Sequence, residues 1–377
     1  MVASDPSKNL AKYNEYMLQG LSHPRSSSEV RLFVLTQLSK CVQVGDPALS
    51  ELTKNHPHLL VSSLKELVGP DLGVSKEVSS FITKLAATSP GFQFLFSSSS
   101  VGLDTLKEIM ASSKDSRSEA AKFRVYEMLA HISNISKNHL QAIESHIKLT
   151  QILGQIAFKS NNDPLGQVSA LEILAIFAES QEGLEYLESQ NVFKKIEELG
   201  ADWKNDPKSG LLLFPGILKF VGKVGVMRVP PVELVQMVMD AIVDSGDGDI
   251  PLRTVGVEAL AYIGSTPQGK LLLDSDPRLG KCFAKVQQLL ESSSSEYRCR
   301  VLEALSYLFG SYDANNTCFL PRCFALTFPQ ISVLFHLFKL PFADTRLSAL
   351  NFLASIAHLE WAQEHYLQSP GGKSFHT

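Results

Sequence analysis

The sequence predicts an all-α protein, a right-handed α-solenoid of about eight repeats, from three observations. First, a four-residue pattern of apolar, small, variable and apolar residues returns every 39 to 48 residues. Second, the small position is always Ser, Thr, Ala or Gly. Third, segments with apolar residues on one helical face separate the copies. A period of this length is typical of armadillo and HEAT repeats.

We call this pattern the repeat motif. Its eight copies are Leu38–Cys41, Ile82–Leu85, Leu129–Ile132, Leu174–Phe177, Val221–Val224, Leu260–Ile263, Leu305–Leu308 and Leu353–Ile356. The small position has a physical reason, because the helices of one repeat must approach those of the next closely. A Leu at this position would overpack the contact by about 1–3 kcal/mol.

The interval between Phe177 and Val221 shows the predicted helices of one repeat in chain order. Gly183–Leu187 predicts a short first helix, and Val192–Leu199 predicts an amphipathic second helix. A helix-breaking stretch, residues 202–210, then precedes a long third helix that carries the motif. The order short, amphipathic, long is that of an armadillo repeat, and a two-helix HEAT repeat is the alternative.

The same order recurs in other intervals. The predicted first and second helices there are Gly91–Leu95 with Val101–Ile109, and Gly269–Leu273 with Cys282–Leu290. Loops rich in Ser, Asp, Gly or Pro follow at residues 112–118, 245–251 and 292–295. The most apolar stretch, Leu211–Phe220, contains Pro215 and Gly216, so we expect a pair of buried helices there.

The predicted repeats form a single solenoid over residues 1–377, with residues 1–20 as a poorly determined start. The content of 44% hydrophobic and 20% charged residues is ordinary for a soluble protein. A net charge of −4 provides no basic field for nucleic acid. No apolar run reaches the roughly 18 to 20 residues that a membrane span needs. Five scattered cysteines indicate reduced thiols, as in the cytoplasm or nucleus.

The sequence carries no motif that indicates catalysis, a cofactor or a metal. Val221–Gly225 has two glycines, but Gly222 fills the small motif position, so we interpret it as a packing site and not a phosphate loop. Residues 244–249 lack the carboxylate spacing of an EF-hand and indicate a solvated turn. Two further pairs lack additional zinc ligands, namely His56 with His58 and Cys318 with Cys323. We therefore expect no enzyme activity, no cofactor and no metal.

In an armadillo fold the long third helix lines a groove, and the variable motif position shares one helical face with the residue four before it. The candidate binding residues at these positions are Glu127, His131, Glu172, Lys223, Glu258, Tyr262, Glu303 and Tyr307. Nuclear-import receptors hold a ladder of Asn and Trp there, whereas this chain has one Asn and no Trp.

The four glutamates among these candidates indicate a partly acidic face, suited to a basic or polar protein surface. The alternative is that Glu simply suits exposed helix positions. Tyr262 and Tyr307 are the stronger candidates, because aromatic residues dominate the binding energy of many protein interfaces.

Several segments resemble the armadillo/HEAT-repeat chaperones that assemble the base of the 26S proteasome. In chain order they are Phe123–Glu127 with Ile132–Ser133, Pro215–Phe220 with Gly222 and Val226–Met227, Gly264–Ser265 with Gly269–Lys270, Arg300 with Leu302–Leu305, Pro341–Phe342 with Ala349–Leu350, Trp361–Gln363 and Ser369–Gly371. The resemblance covers residues 20–371, and residues 372–377 form a tail outside it. We expect the chain to be shortened at both ends relative to this family.

The resemblance implies a monomeric chaperone of the cytoplasm, also present in the nucleus, that binds neither nucleic acid nor membrane. It implies binding to the C-terminal domain of a base ATPase, regulatory subunit 7, in a module with regulatory subunit 4 and non-ATPase subunit 2. Such binding would delay docking on the 20S core by steric exclusion, without catalysis. The alternative function is a generic armadillo adaptor for transport or ubiquitin signalling.

Overall fold

The computed structural model of the chain describes residues 6–111, 116–159, 163–203, 207–246, 249–311 and 318–368, and every regular element in these ranges is a helix. The α-helices are α1 (Pro6–Ser22), α2 (Ser28–Val44), α3 (Asp46–Asn55), α4 (Pro57–Lys65), α5 (Leu72–Ala86), α6 (Ser89–Phe96), α7 (Val101–Ala111), α8 (Ser116–Ser133), α9 (Lys137–His146), α10 (Leu149–Ala157), α11 (Pro164–Phe177), α12 (Gln181–Ser189), α13 (Val192–Trp203), α14 (Pro207–Met227), α15 (Val232–Val243), α16 (Ile250–Ile263), α17 (Pro267–Ser275), α18 (Leu279–Ser292), α19 (Ser295–Gly310), α20 (Phe319–Thr327), α21 (Ser332–Leu337), α22 (Ala343–Ile356) and α23 (Glu360–Gln368). A 3-10 helix, Glu66–Val68, follows α4. The all-α prediction is confirmed.

Parts of some predicted segments lie outside the described residues. They are residues 112–115 and 247–248 of two predicted loops, residues 204–206 of the predicted helix break, and residues 369–377 with the last resembling segment and the tail.

The chain divides into two compact units, Met1–Ile156 and Ala157–Thr377. In the first unit, α2 packs against α5 and α5 against α8. In the second unit, α11, α14, α16, α19 and α22 pack in succession in the same way. Each of these eight helices, which we call the motif helices, carries one copy of the repeat motif. Each unit is therefore an α-solenoid, which is the predicted fold class.

Most intervals between motif helices contain two further α-helices, as the armadillo order requires. The predicted short first and amphipathic second helices are present as α6 and α7, α12 and α13, and α17 and α18. Between α14 and α16, however, the described residues contain only α15. This is the shortest interval, with 39 residues between motif copies. The second unit thus combines three-helix repeats with one two-helix repeat of the HEAT kind.

The expectation of two helices in Leu211–Phe220 was wrong, because α14 runs without interruption from Pro207 to Met227 with Pro215 inside it. A proline in a helix interior removes one hydrogen bond and costs about 3 kcal/mol. Burial on both sides of Pro215 offsets that cost, since Leu213, Phe214, Ile217, Leu218, Phe220 and Val221 are all buried. The predicted break at residues 202–210 was also too long, because α13 extends to Trp203.

A side chain seven residues before the repeat motif attaches six motif helices to the end of the preceding helix. The guanidinium of Arg253, which is buried, donates to the carbonyl oxygens of Ile242 (3.1 Å) and Ser245 (2.7 Å) at the end of α15. Arg298 donates in the same way to Leu290 (2.8 Å) near the end of α18. The other four donors are Arg31, Ser75, Gln167 and Arg346. Three of the acceptors, Ile242, Leu290 and Ala157, lie in the last turn of a helix, where carbonyls have no partner within the helix, and these bonds satisfy them. The remaining acceptors lie within three residues after a helix end.

Three glycines allow the chain to turn from a motif helix into the first helix of the next repeat. They are Gly91, Gly183 and Gly269, each three residues after the Thr or Ser that caps the helix. The capping oxygen accepts a hydrogen bond from each glycine N–H at 3.1–3.2 Å. A Cβ atom at these glycines would lie 1.8–2.0 Å from the carbonyl oxygen of the last motif residue. Only glycine permits so close an approach.

Candidate interaction surface

The variable motif position and the residue four before it form a solvent-facing stripe on each motif helix, which we call the motif stripe. All sixteen of its residues are exposed or half-buried. The first and last residues of the motif are buried on the same helices, except for the half-buried Leu353. The motif therefore separates the packing side of these helices from the solvent side, and the eight predicted candidate residues all lie on the solvent side.

In the first unit, a surface cavity of about 590 Å³ lies between α5 and α8. Ser80 and Lys84 of the motif stripe line it from α5, and Glu127 and His131 line it from α8. The two residues predicted in this unit thus border one cavity. Neither Glu127 nor His131 forms an ion pair or hydrogen bond with any other described residue.

Arg124 stands in the wall of the same cavity, one turn before Glu127 on α8. Its Nη1 atom donates to the carbonyl oxygens of Leu67 and Gly69, each at 3.0 Å, and to the hydroxyl of Ser75 at 3.2 Å. All three acceptors are neutral. The guanidinium is therefore fixed in position while its positive charge is not compensated by a carboxylate of the described residues.

In the second unit, ion pairs join neighbouring motif helices along the stripe. Lys219 Nζ on α14 lies 2.8 Å from Glu172 Oε1 on α11, and Lys223 Nζ lies 2.9 Å from Glu179 Oε1, just past the end of α11. All four side chains are well exposed, so each pair contributes roughly 0–1 kcal/mol to stability. The pairs matter for the surface because they neutralise charge that a partner would otherwise meet.

Arg300 on α19 pairs with Glu258 on α16 through two parallel hydrogen bonds, Nε to Oε1 at 2.7 Å and Nη2 to Oε2 at 3.0 Å. The hydrogen bond to Glu258 is the main cause that raises the pKa of Arg300 above its usual value. Two of the four predicted glutamates, Glu172 and Glu258, therefore already have cationic partners. Glu303 has no ion-pair partner in the described part of the chain.

Tyr262 on α16 and Tyr307 on α19 meet edge to face, with ring centroids 4.9 Å apart and ring planes at 79°. Tyr307 is 44% exposed and Tyr262 is half-buried. Aromatic pairs in this arrangement gain about 0.5–1.5 kcal/mol beyond burial of their area. The structure thus brings together the two residues that the sequence ranked highest, as one aromatic patch on neighbouring helices.

The small motif position allows the close approach that the sequence predicted. A Cβ atom on Gly222 of α14 would lie 3.0 Å from the Cα atom of Ala259 and 3.2 Å from Cδ2 of Tyr262 on α16. Distances this short require the neighbouring backbone or ring to shift. Gly222 is therefore a packing residue, and its lack of a side chain leaves room for the ring of Tyr262.

The rule based on the motif missed Arg300, Glu179, Lys76 and Arg124. The paired charges had a signal in the sequence, because opposite charges stand about one repeat apart. The separations are 47 residues for Glu172 and Lys219, 44 for Glu179 and Lys223, and 42 for Glu258 and Arg300. Only Glu172 and Lys219 stand at equivalent positions relative to the motif, so an alignment of the motif copies indicates that pair alone.

No group of three or more His, Cys, Asp and Glu side chains among the described residues is placed to hold a metal ion. Burial raises the pKa of the Cys41 thiol to about 11 and that of Cys282 to about 12, so both are protonated at neutral pH.

In the loop predicted as a solvated turn, the carbonyls of Ser245 and Gly246 accept hydrogen bonds from Arg253. None of the described helices has the length and hydropathy of a bilayer-crossing segment.

Comparison with known proteins gives a consistent family. A family model described as "Proteasome non-ATPase 26S subunit" matches residues 1–376. The chain is 28% identical over 362 residues to 26S proteasome non-ATPase regulatory subunit 5 of Bos taurus, covering 94% of this chain and 69% of that protein. It is 26% identical to the Homo sapiens protein of the same name, with the same coverage. The Drosophila melanogaster protein of that name is 26% identical over 257 residues, covering 65% of this chain and 49% of that protein.

Solved structures with a similar arrangement include an engineered protein and a karyopherin mutant. The engineered protein has a TM-score of 0.33 and 16% identity, covering 94% of this chain and 92% of its own. The Kap121p mutant has a TM-score of 0.46 and 12% identity, covering 97% of this chain and 40% of its own.

Proposed function

The chain belongs to the family of proteasome non-ATPase 26S subunits, and on that premise we propose that it is a chaperone for assembly of the regulatory particle base. The family match over residues 1–376 is the single observation that carries the proposal. In this function the chain holds the C-terminal domain of a base ATPase, regulatory subunit 7. Regulatory subunit 4 and non-ATPase subunit 2 belong to the same early module.

The exposed motif stripe supports a holding function, because successive motif helices present side chains to one partner along a continuous row within each unit. In the second unit the aromatic patch of Tyr262 and Tyr307 is the proposed main contact, with Glu303 beside it for a basic or polar group. The ion-paired Glu172, Lys223 and Glu258 are proposed to hold the surface in one arrangement, which lowers the entropy lost on binding.

In the first unit, Glu127 and His131 are the proposed contact residues, since both border the cavity between α5 and α8. The proposed mechanism is steric exclusion governed by mass action. While the chain occupies the ATPase domain, that domain is not free to dock on the 20S core. No step requires a nucleophile, cofactor or metal, and the chain acts as a monomer in the cytoplasm and nucleus.

Affinity purification of the tagged chain from cells tests the proposal. We expect base ATPase subunits, with non-ATPase subunit 2, to be recovered without subunits of the 20S core. Recovery of intact 26S particles would refute the assembly function, because a chaperone leaves before the particle is complete. Recovery of partners unrelated to the proteasome would instead support a generic armadillo adaptor.

A further inference from the structure

We propose that the cavity between α5 and α8 binds an acidic peptide segment of a partner protein through Lys76 and Lys84. The inference rests on the proposed function only for the identity of the partner. If the chain has that function, the acidic segment belongs to the base ATPase. The chemistry itself follows from the charges and hydrogen-bond donors of the cavity.

The cavity is lined by three cationic side chains, Lys76, Lys84 and Arg124, and by one carboxylate, Glu127. Lys76 and Lys84 are exposed and form no ion pair with any carboxylate that the structure describes. The two lysines of the stripe in the second unit differ, since Lys219 and Lys223 are each paired with a glutamate. A positive charge is therefore available in this cavity, whereas along α14 it is neutralised.

Three hydroxyl groups in the cavity are also available as donors. Ser79, Ser80 and Thr83 line it, and none of their hydroxyls makes a hydrogen bond to another described residue. Other helical hydroxyls of this chain do bond back to the carbonyl four residues before, as Ser63, Thr105 and Ser306 do. A carboxylate accepts such donors together with ammonium groups, and charged hydrogen bonds of this kind are about twice as strong as neutral ones.

The shape and lining of the cavity favour a peptide over a nucleic acid. No Phe, Tyr or Trp side chain among the described residues lines the cavity, so it has no platform on which bases could stack. The net charge of −4 for the whole chain also gives no general attraction to a polyanion. Leu72, which is 61% exposed at the edge of the cavity, offers an apolar contact for the methylene groups of Asp or Glu side chains.

Fluorescence anisotropy of the full chain with a labelled Glu/Ser peptide tests this inference directly. The comparison peptides replace every Glu by Gln or by Lys at the same length. We expect binding of the Glu peptide alone, weakened by added salt because the pairs are exposed. The double variant Lys76→Gln and Lys84→Gln should weaken it by roughly two- to thirty-fold. The matched control, Lys65→Gln and Lys107→Gln, removes two exposed positive charges outside the cavity and should bind as the unmodified chain does.

Equal binding of the Gln peptide, or an equal loss in the control variant, would overturn the inference. The outcome is distinguishable from failure of the proposed function, because the peptide assay contains no proteasome component. If the Glu peptide binds this cavity while no ATPase is captured from cells, only the proposed function fails. If an ATPase is captured equally well by the Lys76 and Lys84 double variant, which also binds the Glu peptide normally, only this inference fails.

Discussion

At the residue scale, Gly269 has a backbone role that no other residue type can take. Its position next to the carbonyl oxygen of Ile263 leaves no room for a Cβ atom, which would lie only 1.8 Å from that oxygen. We expect Gly269→Ala to lower the free energy of unfolding by about 1–3 kcal/mol or more, as overpacking does. Urea denaturation followed by circular dichroism measures this change.

Gly280→Ala is the matched control, because the nearest atom to its added Cβ would be Leu326 Cδ2 at 4.0 Å. Gly280 lies within α18, so alanine there should leave stability unchanged or raise it by up to about 1 kcal/mol. If Gly269→Ala proved as stable as the unmodified chain, the close approach described here would be incorrect.

The buried thiols give the stability of this protein a defined dependence on alkaline pH. The pKa values of Cys41 and Cys282 are raised to about 11 and about 12 because burial disfavours the thiolate. Above the ordinary thiol pKa of 9.0, the unfolded chain therefore loses protons that the folded chain keeps. Stability falls with rising pH in this range, by at most about 1.4 kcal/mol per pH unit for each thiol.

Urea denaturation between about pH 8 and 11 measures that slope for the unmodified chain and for Cys41→Ala with Cys282→Ala. We expect the free energy of unfolding to fall less steeply with rising pH in the double variant, whatever its stability at neutral pH. Identical slopes would show that these thiols do not contribute.

At the element scale, one side chain attaches each of six motif helices to the end of the preceding helix or to the residues just after it. Arg253 is 1% exposed and donates to the carbonyl of Ile242, which has no partner within α15, and to that of Ser245, two residues after the helix ends. We expect Arg253→Met to destabilise the protein by about 2–4 kcal/mol, since the buried carbonyl of Ile242 and the partly buried carbonyls of Ser245 and Gly246 lose a charged donor. Thermal unfolding of the variant measures the effect.

Lys281→Met is a suitable control because Lys281 is exposed on α18 and makes no such bond. A surface change of this kind usually alters stability by less than about 0.5 kcal/mol. An equal effect of the two substitutions would mean that the carbonyl bonds of Arg253 are not important.

The elements differ in how far they could be predicted from the sequence. The short first helices and amphipathic second helices were correct because local periodicity specifies them. The continuity of α14 through Pro215 was missed, since it depends on burial against α11, α13 and α16 and not on local propensity. Arg253 and its equivalents were also missed, although their constant distance of seven residues from the motif was visible in the sequence.

At the scale of the whole molecule, the motif identified the solvent-facing stripe but not its charge. Each stripe residue could be predicted as exposed, because its position relative to the buried motif residues is fixed by helix geometry. The pairing of Glu172 with Lys219 and of Glu258 with Arg300 required contacts between different repeats. The surface of the second unit is consequently less acidic than its glutamates alone suggest.

The aromatic patch gives the binding hypothesis a direct test within the second unit. We expect the double variant Tyr262→Ala and Tyr307→Ala to lose at least about ten-fold in affinity for the captured partner, as hot-spot residues do. Tyr16→Ala is the control, because Tyr16 is 72% exposed and lies outside the motif stripe. Affinities from surface plasmon resonance that are equal for the two variants would exclude the patch from the interface.

The central proposal is that the chain holds a base ATPase and thereby delays its docking on the 20S core. The most direct measurement is the association of purified regulatory subunit 7 with 20S core particles, in the presence of increasing concentrations of the chain. We predict that the chain binds the C-terminal domain of the ATPase and that association with the core falls as this complex forms. Undiminished association at concentrations of the chain that saturate the ATPase would contradict the claim.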